Sequence, residues 1–176
     1  MADMAARSLF HYSKGMQVIK ARVAGFCPGV RRAIQMAEAA VASAAGCQVW
    51  LLGKIVHNDS VINQLESLGI RTLPENGMPP AGSIVVIRSH GVPPARLNRL
   101  QAAGCTIVDA TCRKVAANQR AAASLAAAGH QVVIAGDEGH GEVIGLVGHA
   151  PGAIVISNAQ CARALHLDRN VALVAQ

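Results

Sequence analysis

Four short stretches constrain what this chain can fold into: AAGCQVW at 44–50, SLGIRTL at 67–73, AAGCTIV at 102–108 and AAGHQVV at 127–133. Each ends an alanine- or leucine-bearing helical pattern, sets a glycine at the position just past the helix, and passes into an apolar, β-branched run. Glycine there allows the left-handed turn that closes a helix. Four such exits imply serial helix-to-strand units, so the sheets are expected to be largely parallel and the class α/β. The pattern reads as repeated small α/β modules. A soft boundary falls near 109–113, giving a first module over 17–110 and a second over 111–176.

The element order follows from the periodicity. Strands are expected at 17–23, 48–52, 70–73, 83–88, 106–109, 131–135, 153–156 and 171–175. Helices are expected at 30–45, 59–68, 94–103, 113–128, near 143–148, and at 159–165. Asp59 is the expected N-cap of its helix. With 176 residues, 52% of them hydrophobic, the chain supports one domain or two small ones. Aromatics are only 2%, so the core must be built from small, closely packed side chains. No run reaches the roughly 18 apolar residues of a membrane span. Residues 1–16 lack the apolar stretch of a signal peptide and are expected to be a flexible extension, with the chain cytoplasmic. The formal charge of +6 comes mostly from arginines scattered along helices. With no aromatic stacking platform, this argues against nucleic acid and suits a solvated basic surface or an anionic small molecule.

Five cysteines stand at 27, 47, 105, 112 and 161. An odd number without an export signal argues against a disulfide framework, and no CxxC pair suggests a zinc ribbon. Ligands of open parallel sheets collect at the carboxyl ends of the strands. Cys47 and Cys105 follow a helix-closing glycine, so they belong at the opposite edge and are expected to be buried; Cys161 is expected to pack within its helix. Cys27 and Cys112 instead stand between a strand end and a helix start, where unpaired N–H groups and the dipole favour an anion. That dipole is worth about 0.3–1 kcal/mol, too little on its own to ionise a thiol near neutral pH; a metal centre would complete the task. His57, His90 and His140 fall on the same edge, whereas His11, His130, His149 and His166 read as solvated. Together the three imidazoles and two thiols suggest a pocket for an anionic, hydrogen-bonding ligand. Glu142, two residues from His140, is a candidate proton carrier or a simple complement to a helix dipole.

GFCPGVRRAI at 25–34, VHN at 56–58, RSHGV at 88–92, DATC at 109–112 and GHGEVIG at 139–145 stand in one order at compatible spacing. From about Val18 to its end the chain resembles the N-terminal part of the 4-hydroxy-3-methylbut-2-enyl diphosphate reductase family, which performs the last step of non-mevalonate isoprenoid synthesis. The resemblance implies three α/β modules about a pseudo-threefold axis, of which this chain holds the first and most of the second. It implies a [4Fe-4S] cluster held by one cysteine per module, an allylic diphosphate substrate, and an external electron donor such as ferredoxin or flavodoxin. On that likeness Cys27 and Cys112 are cluster ligands, His57, His90 and His140 line the diphosphate pocket, and Glu142 delivers the proton. The third cysteine and the Ser/Asn diphosphate contacts have no counterpart here, and Cys161 lies in the wrong element to replace them. The chain is therefore expected to be a truncated, inactive portion that binds iron poorly unless a C-terminal part is supplied in trans. Arg113 and Gly141 stand where the family usually has proline, and Gly141 is expected to loosen the loop that carries Glu142. Two other readings use fewer of these residues. One is a non-redox α/β ligand-binding or scaffold module, although neither a G-x-G-x-x-G after the first strand nor a Walker A sequence occurs. The other is a Cys27 nucleophile with a histidine base, which leaves Cys112 without a role.

Overall fold

The computed structural model describes residues 19, 21–22, 24–56, 58–167 and 170–176. The expected extension, His11 and His57 lie outside the described residues. So does most of the strand expected at 17–23, of which Ile19, Ala21 and Arg22 form no strand. The order is α1 (Pro28–Ala42), β1 (Val49–Leu52), α2 (Asp59–Ser67), β2 (Arg71–Leu73), β3 (Ile84–Ile87), α3 (Pro94–Ala102), β4 (Thr106–Asp109), α4 (Arg113–Ala127), β5 (Gln131–Ala135), α5 (Gly141–His149), β6 (Ile154–Ile156), α6 (Ala159–Ala164) and β7 (Val171–Ala175). Two sheets result, ordered β2-β1-β3-β4 and β6-β5-β7, and every strand pair in both is parallel. The glycines of the four helix exits, 46, 69, 104 and 129, all have positive φ, between 78° and 90°. That backbone is nearly closed to other residues and fixes where each helix stops.

Helix starts match the expected residue in α2, α3, α4 and α6 and precede it by two residues in α1 and α5, while helix ends fall within three residues of the expectation. α1 begins at Pro28, whose missing N–H costs nothing in the first turn and whose φ is already helical. α2 is capped by Asn58, not Asp59: Asn58 Oδ1 accepts from the Val61 N–H at 3.1 Å. Asp59 instead complements the first-turn dipole and lies 3.5 Å from Lys54 Nζ. α5 begins two residues earlier than the periodicity predicts, because His140 serves as its cap.

The first sheet is covered on both faces. Val86 joins Ala33, Ala37, Leu51, Ile55 and Leu65 on one side, whereas Val85 and Ile87 join Leu52, Leu73 and Leu100 on the other. This is the strand alternation applied to a sheet with two dry faces. The second sheet packs Val132, Ile134 and Val174 against Ala122 of α4 and Val143 and Leu146 of α5. The scarcity of aromatics explains the tight approach of α1, which meets the sheet through Ala33, Ala37 and Ala40, exposed by 0%, 0% and 4%. A larger side chain has no room there. Ala37→Leu is expected to destabilise the fold by about 1–3 kcal/mol, whereas Gln35→Leu on the exposed face stays within about 0.5 kcal/mol; urea denaturation midpoints compare them.

Candidate functional site

Cys27 and Cys112 are the N-caps of two 15-residue helices, α1 and α4. Cys27 Sγ accepts a 3.5 Å hydrogen bond from the Val30 N–H. The turn before Cys112 is shaped by Asp109, whose Oδ1 accepts from the Thr111 N–H at 2.9 Å. Arg32 of α1 donates to the Thr111 carbonyl at 3.3 Å, and the Cys112 N–H donates to the Ser89 carbonyl at 2.9 Å. Three separate stretches therefore hold the second thiol in place. The two sulfurs meet at Gly29. A Cβ there would lie 2.8 Å from Cys112 Sγ and 3.8 Å from Cys27 Sγ. Only a residue without a side chain leaves both sulfurs where they are.

Both thiols open into a cavity of about 550 Å³ lined also by Gly29, Arg32, Arg113 and Lys114. Three cations and two helix N-termini make this hollow suitable for a negatively charged group. Some of the arginines expected to form a solvated surface therefore face the thiols. The remaining cysteines divide differently from the expectation. Cys105 is buried, and burial pushes its thiol pKa up, against the opposing pull of Arg96. Cys47 and Cys161 are exposed, not packed. Cys47 lies two residues before the start of β1, outside the sheet, and α6 buries none of its residues.

Two imidazoles meet nearby in the fold, His90 beside the Ser89 carbonyl that holds Cys112. β3 delivers His90, β5 leads to His140, and their rings meet edge to face with centroids 5.2 Å apart. His140 Nδ1 accepts from the Glu142 N–H at 3.3 Å and faces Gln176 Nε2 at 2.7 Å. Gln176 Oε1 accepts from the Asp137 N–H at 3.0 Å, so its amide nitrogen is the group turned toward the ring. Two donors on Nδ1 make that nitrogen the acceptor, and the hydrogen-bond network assigns the proton of the neutral ring to Nε2. Glu142 stands half-buried in the first turn of α5. His57 is outside the described residues. His130 and His149 are half-buried, not solvated, and His149 Nδ1 lies 2.8 Å from the Gly145 carbonyl. His166 is exposed as expected.

Sequence reasoning missed four contributors: Gly29, Arg88, Gln119 and Gln176. Arg88 could have been found from its place in RSHGV, but its reach could not. Its side chain is 14% exposed, and Nη2 pairs with Glu75 Oε1 at 2.7 Å. Nε is buried with no hydrogen-bond partner among the described residues. The guanidinium occupies the space a Cβ on Gly141 would need. Glycine at 141 thus makes room for a cation, at a φ outside the left-handed region. A proline would otherwise suit this first helical position, since His140 has φ −65° and ψ 137°, which a following proline tolerates. Gly141→Pro is therefore expected to give no stability in the parent chain, yet about 0.4–1 kcal/mol in an Arg88→Ala background. Chemical denaturation of the four proteins of that double-mutant cycle measures the difference.

Comparisons with known proteins place the chain in a family. The LytB protein family model matches residues 18–176. The 4-hydroxy-3-methylbut-2-enyl diphosphate reductase of Aquifex aeolicus is 38% identical over 167 residues, covering 92% of this chain and 56% of the relative. That of Geotalea uraniireducens is 40% identical over 162 residues, with the same coverage. A solved (E)-4-hydroxy-3-methyl-but-2-enyl diphosphate reductase, described as the terminal enzyme of the non-mevalonate pathway, superposes with a TM-score of 0.77 at 37% identity, covering 87% of this chain and 55% of that one. The Plasmodium falciparum enzyme gives 0.80 at 28% identity, covering 86% and 48%. The chain thus spans about half the length of these relatives. On the match over residues 18–176, the chain belongs to the LytB protein family.

Proposed function

We propose that this chain supplies two of three cluster-binding thiols, and one wall of the diphosphate pocket, to a 4-hydroxy-3-methylbut-2-enyl diphosphate reductase of the cytoplasm. The observation that carries the reading is the convergence of Cys27 Sγ and Cys112 Sγ on Gly29 within a basic cavity. The donor set suits part of a [4Fe-4S] site, because thiolates are the usual ligands of such clusters. No group of three metal-binding side chains occurs among the described residues, so a further ligand must join them. In this reading the two sheets belong to modules 17–110 and 111–176 of a pseudo-threefold assembly, whose third module brings the remaining cysteine.

The overall change is loss of the allylic hydroxyl as water with uptake of two electrons and two protons, leaving isopentenyl or dimethylallyl diphosphate. A bound cluster would supply the electrons, taken from a ferredoxin- or flavodoxin-type donor, and a Lewis-acidic iron. The protein residues do the rest. His140 offers Nε2–H to a diphosphate oxygen, and His90 and His57 complete that wall. The edge-to-face contact limits how the rings of His90 and His140 turn. Glu142 holds the proton that the departing hydroxyl takes up. Its position next to the His140 cap keeps it on the diphosphate side of α5. Arg32, Arg113 and Lys114 offset negative charge at the thiols.

Anaerobic iron–sulfide reconstitution tests the reading. The chain alone is expected to hold little cluster and to show no turnover. Combined with the remaining C-terminal portion of the Aquifex aeolicus relative, it is expected to take on the broad visible absorbance of a cluster and to reduce substrate. Cys27→Ser or Cys112→Ser should abolish both gains, and unchanged cluster content in the double variant would refute the assignment. In the complemented enzyme, Glu142→Gln is expected to lower kcat by about 10²–10⁴-fold with a small change in KM, the range for loss of a general acid.

A further inference from the structure

We propose that Gln119 is a positioning residue that ties the helix bearing Cys112 to the loop bearing His90 and so fixes the contact between His90 and His140. Gln119 lies two turns along α4 from Cys112, on the buried face with Val115 and Ala122. It is 5% exposed, one of the few polar side chains in the interior. Its Nε2 donates to the His90 carbonyl at 3.3 Å. The preceding carbonyl, that of Ser89, accepts from the Cys112 N–H. One helix thus takes two consecutive carbonyls of the His90 loop, one through its N-cap and one through a side chain.

The surroundings are shaped to admit this amide. A Cβ on Gly91 would lie 2.7 Å from Nε2, and a Cβ on Gly145 would lie 2.6 Å from Nε2 and 3.5 Å from the His90 carbonyl. Gly91 directly follows His90, and Gly145 belongs to α5, one turn beyond Glu142. Gln119 therefore sits where the His90 loop, the thiol helix and the Glu142 helix meet. A purely apolar side chain would fill the space but would leave the part-buried His90 carbonyl without this donor. The loop could then rotate, and the His90 ring would leave the edge of His140. The catalytic consequence rests on the proposed diphosphate role of the two histidines; the geometric claim does not.

The test uses the 176-residue chain without iron, so that it is independent of cluster assembly. Nuclear Overhauser contacts between the ring protons of His90 and His140 are recorded for the parent chain, Gln119→Met, Gln119→Glu, Gly145→Ala and Val115→Ala. The first two variants keep the length of the side chain and remove its donor; the third places a methyl group against it. All three are expected to lose the ring-to-ring contact while the backbone amide spectrum of the two sheets stays dispersed. Val115→Ala, a plain cavity on the same helix face, is expected to lower the melting temperature and keep the contact. If Gln119→Met fails to fold, Gln119→Glu and Gly145→Ala decide the matter. Retention of the contact in those folded variants, or its loss in Val115→Ala as well, overturns the proposal.

Discussion

The constraint on which the site depends is the parallel direction of every strand pair. A parallel strand must be followed by a crossing connection, and here that connection is usually a helix that starts at the carboxyl edge of the sheet. Helix N-termini, with their unpaired N–H groups, therefore accumulate along one edge. In this chain the caps at that edge include Cys27, Cys112 and His140. Each stands at the first turn of its helix, and two of them, Cys27 and His140, cap it through a side-chain atom. Cys27 Sγ and His140 Nδ1 both accept from the backbone of the helix they begin. The second atom of interest, a sulfur lone pair or Nε2, is thereby aimed outward from a fixed main chain.

Closeness at this edge is achieved with missing side chains. Gly29 brings two sulfurs together, Gly141 admits a guanidinium, and Gly91 and Gly145 admit an amide. The core follows the same rule, with alanines bringing α1 onto its sheet. Helices that approach this closely cannot slide without clashes, because packed interiors deform little. A chain with 2% aromatic residues thus compensates for small side chains with short separations. The cost is sensitivity: at several of these points one added methylene must displace a chemically relevant atom.

Most of this architecture was legible in the sequence because it is governed by local rules. Helix-closing glycines and β-branched runs located the strands of both sheets to within a residue and the helix ends to within three. The edge rule separated Cys27 and Cys112 from Cys105 correctly. It failed for Cys47 and Cys161, because position relative to a strand end says nothing about whether neighbouring helices cover a residue. Two helix starts, those of α1 and α5, were less legible because Cys27 and His140 cap them through side-chain bonds, and the cap of α2 is Asn58 in place of the adjacent Asp59. The contributions of Arg88, Gln119 and Gln176 were invisible for a different reason. Their hydrogen-bond partners lie 13 to 39 residues away in sequence, and no periodicity encodes such a pairing.

Those long-range pairings make the site a property of both sheets. α4 buries Ala122 against β5 and α5, so the bulk of the helix belongs with the second sheet. Its first residues are nevertheless held by the loop that leaves β3 of the first sheet, through the carbonyls of Ser89 and His90. Arg88, from the same loop, fills the space beside Gly141 at the start of α5. Arg32 on α1 closes the circuit at Thr111. Neither sheet alone therefore presents two thiols or two facing imidazoles. Any anion that bridges the two groups favours the docked arrangement over a separated one by its binding free energy. Conversely, substitutions that loosen the docking weaken binding without touching the ligand. Site formation and the association of the two sheets are thus one equilibrium, and the loop at 88–91 is where it is set.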